Sequence, residues 1–133
     1  MNAAFPSTPL RIGVAGLGTV GAAVVAILKR QENELSARCG RPLRVTAVSA
    51  RDRARDRGVD LAAYAWFDDP VALASSPDID LFVELMGGAE GPARAAVEAA
   101  LRAGKHVVTA NKALLAKHGL ELAALAEQQG VAL

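Results

Sequence analysis

The sequence predicts an α/β fold in which a doubly wound, mostly parallel sheet lies between two layers of helices. Short apolar runs rich in β-branched residues alternate with longer segments whose apolar residues recur at helical spacing. The first of these runs ends directly at a glycine cluster, and a helical pattern begins there. Because strands that alternate with helices are joined by right-handed crossovers, a parallel sheet with helices on both faces follows.

The first strand and the helix after it are predicted from a change in hydrophobic period. Residues 10–15 (LRIGVA) are a short apolar run with β-branched members, which is typical of a buried strand. Apolar residues at spacings of three, four and seven then predict one long helix, which ends before Gly40 and Pro42. The predicted apolar face of this helix consists of Val20, Val24, Ile27, Leu28 and Leu35.

The middle of the chain predicts two further strands on either side of a charged segment. Residues 43–49 (LRVTAVS) alternate only loosely, as expected for a strand that is covered on both faces. Residues 50–58 (ARDRARDRG) carry dense charge and are expected in solvent, as a loop or a short helix. Residues 63–67 (AYAWF) form a short third strand, and Asp68 or Asp69 then caps a short helix.

The same alternation continues in the second half of the chain. Residues 81–85 (LFVEL) form the fourth strand. Pro92 then opens a helix that Gly104 closes. His106–Thr109 (HVVT) forms the fifth strand, and Asn111 is well suited to cap the helix that follows.

The last segment predicts one or two helices and the start of a sixth strand. Its apolar stripe has a break at residues 118–119, and Gly130 ends the helical pattern. The stripe consists of Leu114, Leu115, Leu122, Leu125 and Ala126. Residues 131–133 look like the first residues of another strand, so we expect the chain to be a piece of a longer protein.

Composition is that of a single globular domain. The 133 residues, 52% of them hydrophobic, suffice for one core and leave no room for a second domain. We therefore expect a loose tail over residues 1–9 and one domain over residues 10–133. A net charge of +1 provides no long-range field for nucleic acid or for an anionic membrane. The single cysteine, Cys39, excludes an intrachain disulfide and agrees with a cytoplasmic location. No apolar run approaches the roughly 20 residues that a membrane span needs.

A glycine loop carries the first candidate site. Residues 16–21 (GLGTVG) fit G-x-G-x-x-G directly after a predicted strand and at the start of a helix, which is typical of a Rossmann domain that binds a dinucleotide. Gly16 permits the tight turn, Gly18 lets a pyrophosphate approach the backbone, and Gly21 lets the helix pack closely. The alternative is a glycine-rich turn without a ligand, but three glycines would then weaken the helix start by roughly 1 kcal/mol each. The residues expected to bind the cofactor here are Gly16, Leu17, Gly18, Thr19, Val20 and Gly21.

The tip of the second strand is where such domains select between NAD and NADP. An acidic side chain there binds the ribose 2′-hydroxyl, and an arginine accommodates a 2′-phosphate. Arg51 follows the strand most directly and precedes Asp52, so we predict NADP or dual use, with NADPH bound more tightly than NADH. Arg53 is included in the candidate site, although a solvated turn is the better interpretation of Arg53, Arg55 and Arg57 taken singly.

Two segments after the fourth and fifth strands are candidates for the nicotinamide end of the site, because ligands of open α/β sheets bind beyond the carboxyl ends of strands. Thr109, Asn111 and Lys112 form one of them. The ammonium of Lys112 would polarise a substrate carbonyl or bond the cofactor amide; otherwise it is an exposed lysine in a first helical turn. Gly87 and Gly88 are the other candidate wall, or else a simple turn.

Glu84 lies inside a hydrophobic strand, which is unusual for a carboxylate. It faces the crevice, or it is a core residue satisfied by backbone donors; the sequence leaves both possibilities open.

The remaining chemically active side chains predict no metal site. His106, His118 and Cys39 do not have the spacing of metal ligands. We expect His106 to be a partly buried strand residue and His118 to lie at the surface.

Three longer phrases of the sequence resemble a known family. They are IGVAGLGTVGAAV (residues 12–24), IDLFVELMGG (79–88) and AGKHVVTANKALLAKHG (103–119). Together they resemble bacterial homoserine dehydrogenase, and residues 48–61 also look like the second-strand region of that family. The glycine phrase is generic, whereas VTANKALL is much more specific.

The resemblance implies the reversible reduction of aspartate 4-semialdehyde to homoserine with NAD(P)H, on the route to threonine and methionine. It implies that the Gly16 to Gly21 loop holds the pyrophosphate and that Lys112 sits beside the nicotinamide and the substrate as the catalytic residue of this domain. The substrate and dimerisation domain of the family, its second lysine and its sodium-binding loop would follow Leu133. The chain alone is therefore expected to bind cofactor and to catalyse little or nothing, whereas the full-length enzyme is expected to be a homo-oligomer.

Two other classes of function remain as alternatives. One is a stand-alone dinucleotide-binding or redox-sensing module without catalysis. The other is a methyltransferase that uses the same glycine loop for an adenosyl ligand.

Overall fold

The computed structural model describes residues 8–133 of the chain. Its strands are β1 (Leu10–Ala15), β2 (Leu43–Ser49), β3 (Ala65–Phe67), β4 (Leu81–Glu84) and β5 (His106–Thr109). They form one sheet in the order β3-β2-β1-β4-β5, and every strand pairing in it is parallel. The predicted α/β fold with a parallel sheet is confirmed.

Helices cover both faces of this sheet, as expected for the doubly wound class. They are α1 (Thr19–Arg30), α2 (Glu32–Cys39), α3 (Pro70–Ala74), α4 (Pro92–Arg102) and α5 (Lys112–Gln129). One core cluster joins β1, β2 and β4 to α1 through residues such as Val14, Val25 and Val48. A second, larger cluster joins the opposite face to α3, α4 and α5 through residues such as Phe82 and Leu101.

The strand register places the last residues of β1, β4 and β5 side by side at the carboxyl end of the sheet. Ala15, the last residue of β1, pairs with Glu84, the last residue of β4, which in turn pairs with Thr109 at the end of β5. The chain runs from β1 to β2 on one side and from β4 to β5 on the other. A crevice therefore opens between the segments that leave β1 and β4, which is where ligands bind in this class of sheet.

The predicted single long helix before Gly40 is wrong, because α1 ends at Arg30 and α2 starts at Glu32. Gln31 between them has φ −105° and ψ 21°, outside the helical region, although its amide still donates to the Ile27 carbonyl. The predicted apolar face is wrong as well. Leu28 does pack against the core, but Val20 and Ile27 are 58% and 40% exposed, and the buried Val25 was left out, so the predicted face is rotated within α1 itself.

The predicted break at residues 118–119 is also wrong, because α5 runs without interruption through Gly119. Its buried residues Leu114, Leu122 and Ala126 are spaced by eight and four, so one continuous face packs onto the core. This burial outweighs the cost of about 1 kcal/mol that a glycine brings to a helix.

Smaller differences concern strand ends. β3 starts at Ala65 and β4 ends at Glu84, each shorter than predicted. Residues 131–133 do not form a strand, but the Val107 amide donates to the Ala132 carbonyl at 2.9 Å, so this segment lies beside β5.

Several local predictions are confirmed. β1, β2 and β5 have the predicted bounds, and residues 50–58 form an exposed loop. The Asp69 carboxylate caps α3 by accepting from the Val71 amide at 2.9 Å. Of the predicted tail, residues 1–7 lie outside the described part of the chain. Among the helices of the described part, none combines the length and the apolar character that crossing a bilayer requires.

Candidate functional site

A cavity of about 150 Å³ lies in the crevice at the carboxyl end of the sheet. It is bounded by the start of α1, by the turn after β4 and by the junction of β5 with α5. Its lining residues are Val20, Glu84, Leu85, Met86, Gly87, Ala110 and Asn111. The structure thus brings together the glycine loop and the two segments that were predicted to form the nicotinamide end.

Two glycines of the loop are required by the protein itself. Gly16 has φ +95°, and a Cβ there would lie 2.6 Å from the backbone carbon of Leu85. A Cβ on Gly21 would lie 1.7 Å from the Gly16 carbonyl oxygen. The backbone of the loop, the start of α1 and the exit of β4 are therefore packed too closely for any side chain at these two positions.

Gly18 differs, because a Cβ there would meet no atom of residues 8–133 within 4 Å. It is the N-cap of α1, and no side chain of the described residues caps that helix. Thr19 and Val20, the first two helical residues, are exposed. The α1 terminus thus offers backbone N–H groups and the positive end of its dipole to open space, as an anion requires.

Glu84 is fully buried at the end of β4 and accepts three hydrogen bonds. Its Oε2 accepts from the amides of Met86 at 2.7 Å and Gly87 at 3.0 Å, and its Oε1 accepts from the Thr109 hydroxyl at 2.9 Å. Of the two roles that the sequence left open, the structure shows a buried carboxylate satisfied mainly by backbone donors. It is nevertheless part of the cavity wall.

Asn111 links the junction of β5 and α5 to the turn after β4. Its Oδ1 caps α5 by accepting from the Leu114 amide at 3.0 Å, which confirms the predicted cap, and its Nδ2 donates to the Gly88 carbonyl at 2.6 Å. The Asn111 amide donates to the Thr109 hydroxyl at 3.0 Å. Because both polar atoms of its side chain have partners, Asn111 is held in place and shapes the wall of the cavity, and one N–H of its Nδ2 is engaged with Gly88.

Of the predicted glycine wall and lysine, Gly87 lines the cavity, whereas Gly88 and Lys112 each follow a lining residue in sequence. Gly87 and Gly88 have φ of +84° and +86°, which favours glycine in this turn whether or not a ligand is present. Lys112 is the first residue of α5 and is exposed. A cation at a helix N-terminus is mildly unfavourable.

The arginines of the loop after β2 differ in their surroundings. Arg51 is exposed, whereas Arg53 and Arg57 both lie over the Trp66 ring, at 5.8 Å and 5.6 Å from its centroid. Arg57 also donates from Nε to the Leu17 carbonyl at 3.1 Å, which ties this loop to the glycine loop. The interpretation of Arg57 as merely part of a solvated turn is therefore wrong.

The predicted placement of the two histidines is reversed in the structure. His106, the first residue of β5, is exposed, whereas the His118 side chain is only 14% exposed. The His118 Nε2 pairs with the Glu90 carboxylate, and this contact, followed by the bond from Arg94, holds the pKa of Glu90 below its usual value. Within residues 8–133, no three side chains of metal-ligating type come together.

Sequence reasoning missed some of the residues that build this site. Leu85, Met86 and Ala110 line the cavity with no polar side chain that would have singled them out. The contact of Arg57 with Leu17 joins residues 40 positions apart and leaves no local pattern. A carboxylate inside an apolar strand was the one signal, and it pointed to Glu84.

The comparisons with known proteins agree with this geometry. Residues 16–133 match the sequence model of the family described as homoserine dehydrogenase, NAD binding domain. The chain is 44% identical over 123 residues to homoserine dehydrogenase of Neisseria gonorrhoeae, covering 92% of this chain and 28% of that protein. Among solved structures, a homoserine dehydrogenase from Thiobacillus denitrificans is 40% identical with a TM-score of 0.86, covering 94% of this chain and 28% of that one. The S. aureus enzyme at pH 8.5 is 34% identical with a TM-score of 0.85, covering 96% and 32%.

The chain spans about 28% of the length of the curated relatives it matches. The match therefore concerns one domain of those proteins, and it includes the glycine loop, the turn after β4 and the junction of β5 with α5. Family, fold and site agree, and the chain belongs to the NAD-binding domain family of homoserine dehydrogenase.

Proposed function

We propose that this chain is the cofactor-binding domain of a homoserine dehydrogenase that interconverts L-aspartate 4-semialdehyde and L-homoserine with NAD(P)H. The observation that carries the proposal is the open space over Gly18, where a Cβ would meet no described atom, at the uncapped start of α1. The proposal extends to the whole protein only through its relatives, of which the chain spans 28%. The chain alone is expected to bind cofactor and to have little or no activity.

The diphosphate of the cofactor would lie against the start of α1. The amides of Thr19 and Val20 are among the first-turn N–H groups that have no partner within the helix. Gly16 and Gly21 keep the loop close to the sheet, so the amides stay in place before the ligand arrives, and binding costs little reorganisation.

The nicotinamide end would enter the cavity beside Gly87 and Ala110. Bound there, the nicotinamide supplies or accepts the hydride of the reaction. The mostly apolar wall of the cavity would exclude water. Lys112, exposed and next in sequence to the lining residue Asn111, is our candidate for the catalytic residue of this domain, as a cation that stabilises negative charge developing on the substrate oxygen.

The phosphate on the adenosine ribose of NADP would lie near the loop after β2. Arg51 follows β2 by two residues, and the Ser49 carbonyl at the end of β2 accepts from the Gly16 amide at 2.9 Å, so this strand end adjoins the glycine loop. Arg53 and Arg57 add positive charge to the same loop. We infer a preference for NADPH over NADH on this basis.

Titration of the purified chain with NADPH, NADH and S-adenosylmethionine tests the proposal. Trp66 is the only tryptophan, and it contacts the loop that reaches Leu17, so its fluorescence is expected to report cofactor binding. Saturating NADPH at 100 times its Kd is expected to stabilise the fold by about 2.7 kcal/mol and to raise the Tm. NADPH is expected to bind more tightly than NADH, and Arg51→Ala is expected to abolish the difference.

Other outcomes of this titration contradict the proposal. A response to S-adenosylmethionine alone favours a methyltransferase, and no response to any of the three ligands removes the dinucleotide site. Binding of NADPH by the chain, combined with no homoserine oxidation by the full-length protein, favours a binding or redox-sensing module.

The proposal includes a cytoplasmic location and a homo-oligomeric full-length enzyme. The first is supported by the single cysteine, the exposed and free Cys39, which agrees with a reducing compartment. The second is supported by family membership alone.

A further inference from the structure

We propose that Glu84 is a positioning residue that fixes the wall against which the nicotinamide half of the cofactor lies. This inference rests on the proposed function and adds a residue to it. Glu84 does not donate to the ligand; it acts through the turn after β4 and through the junction of β5 with α5.

The placement of Glu84 is costly for a residue with only a packing role. Its side chain is fully buried, and it forms no ion pair among residues 8–133. Burying a carboxylate without a cation costs free energy that hydrogen bonds must offset. The three donors around it, two amides and one hydroxyl, match the acceptor-only character of an ionised carboxylate.

These bonds join two segments that are distant in sequence. From Glu84 the chain continues through the turn to Gly88, whose carbonyl accepts from Asn111 Nδ2. The Asn111 amide donates to the Thr109 hydroxyl, and that hydroxyl donates back to Glu84 Oε1. The result is a closed ring of contacts around one wall of the cavity, with the carboxylate as the acceptor that both segments share.

The hydrogen bonds of the ring hold the wall of the cavity, and none of them involves residues 16–21 of the diphosphate cradle. Met86, Gly87 and Asn111 belong both to the ring and to the cavity lining. The glycine loop packs against the backbone of Leu85 and Met86 but takes part in none of the ring's hydrogen bonds, and the arginine loop lies beyond β2, two strands away from β4. Loosening the ring should therefore weaken the hold on the nicotinamide and spare the adenosine diphosphate half.

Glu84→Gln changes the donor pattern with almost no change of size. A carboxamide has one oxygen acceptor and an NH₂ group that only donates. If its oxygen faces the amides of Met86 and Gly87, its NH₂ faces the Thr109 hydroxyl, whose proton then loses its acceptor. In the opposite orientation, a donor faces two donors.

The experiment compares two ligands that differ only in the nicotinamide: NADPH, and 2′-phospho-ADP-ribose, which lacks it. We expect Glu84→Gln in the purified chain to weaken NADPH about tenfold, the size of effect typical of a lost charged hydrogen bond. Its affinity for 2′-phospho-ADP-ribose should stay within about twofold. Thr109→Val removes the hydroxyl while keeping a β-branched side chain, and it should show the same split. Glu34→Gln, an exposed carboxylate on α2, is the matched control and should leave both affinities unchanged.

The outcomes separate this inference from the function on which it rests. An equal loss for both ligands shows a general scaffold role and overturns the inference, as does an unchanged affinity for NADPH. If Glu84→Gln does not fold, as judged by its thermal transition, Thr109→Val decides by the same criterion. If the wild-type chain binds neither ligand, the proposed function itself fails.

Discussion

At the scale of single residues, the three glycines of the cofactor loop differ in what a methyl group would meet. Gly16 and Gly21 face backbone at 2.6 Å and 1.7 Å, whereas Gly18 faces open space. The sequence motif already assigns them different roles, with a tight turn at Gly16, access for a pyrophosphate at Gly18 and close helix packing at Gly21. The structure shows that Gly16 and Gly21 serve the packing of the protein, whereas Gly18 has open space, which we propose is filled by the cofactor.

Gly18→Ala should therefore separate binding from stability. Gly18 has φ −72°, a value that alanine adopts freely, and the new methyl group would contact no described atom, so the Tm should stay the same or rise slightly. The methyl group would occupy the space of the diphosphate and should weaken NADPH by about tenfold or more. Thermal unfolding and NADPH titration of the same sample check both expectations.

Gly21→Ala is the contrasting variant. Its methyl group would overlap the Gly16 carbonyl, so α1 must shift, and we expect a loss of about 1–3 kcal/mol in the free energy of unfolding. NADPH affinity of Gly18→Ala equal to that of the wild type would refute the assignment of Gly18 to the cofactor.

At the scale of elements, helices were predicted less well than strands. Apolar runs located β1, β2 and β5 correctly, since a buried strand is short and its ends are marked by turn residues. The break at Gln31 and the continuity of α5 through Gly119 were both missed. Helix propensity is a weak signal there, because packing of a whole helical face against the core decides where a helix continues.

Gly119→Ala should stabilise the protein through α5 itself. Gly119 is helical, and a Cβ there would meet the Leu115 Cβ at 3.9 Å, an ordinary contact. We expect a gain of about 1 kcal/mol in the free energy of unfolding, and so a Tm higher by about 4 °C.

Gly130→Ala is the control for this prediction. Gly130 ends α5 with φ +67°, which strains an alanine, so the same substitution there should lower the Tm. A lower Tm for Gly119→Ala would show that α5 is bent or interrupted at that residue.

At the scale of the whole molecule, the two ends of the sheet have different chemistry. The carboxyl end holds the cavity and the network around Glu84, whereas the amino end holds an ion pair between the two central strands. Arg11 of β1 donates to Asp80, just before β4, through Nε at 3.1 Å and Nη2 at 3.0 Å, and the Arg11 amide adds a third bond at 2.9 Å. Hydrogen bonds from Arg11 are the main reason that the pKa of Asp80 lies below its usual 3.8.

The pH dependence of stability should report this pair. Because the pKa of Asp80 is lower in the folded than in the unfolded chain, its contribution to stability is complete above the usual value of 3.8 and is lost as the pH falls below it. Asp80→Asn should thus lower the Tm at pH 7 and flatten the decline of stability on acidification. Partial exposure of both side chains makes the effect modest.

Asp60→Asn is the matched control for the acid titration. Asp60 is exposed and accepts from the Ala62 amide, a bond that asparagine retains. It should keep the wild-type pH profile. An unchanged profile for Asp80→Asn would contradict the role of the pair.

What the sequence by itself determined were the five strands of the sheet to within two residues, the glycine loop at the end of β1, the caps at Asp68 or Asp69 and at Asn111, and the parallel α/β class. All of these follow from patterns within about ten residues, because hydrophobic period and turn chemistry are local. Only the tertiary structure decided that β4 lies beside β1 and β5, and so that Glu84 meets Thr109 and Arg57 meets Leu17. These contacts join residues 25 and 40 positions apart. No local pattern predicts them, because they depend on which strand ends the packed sheet places side by side.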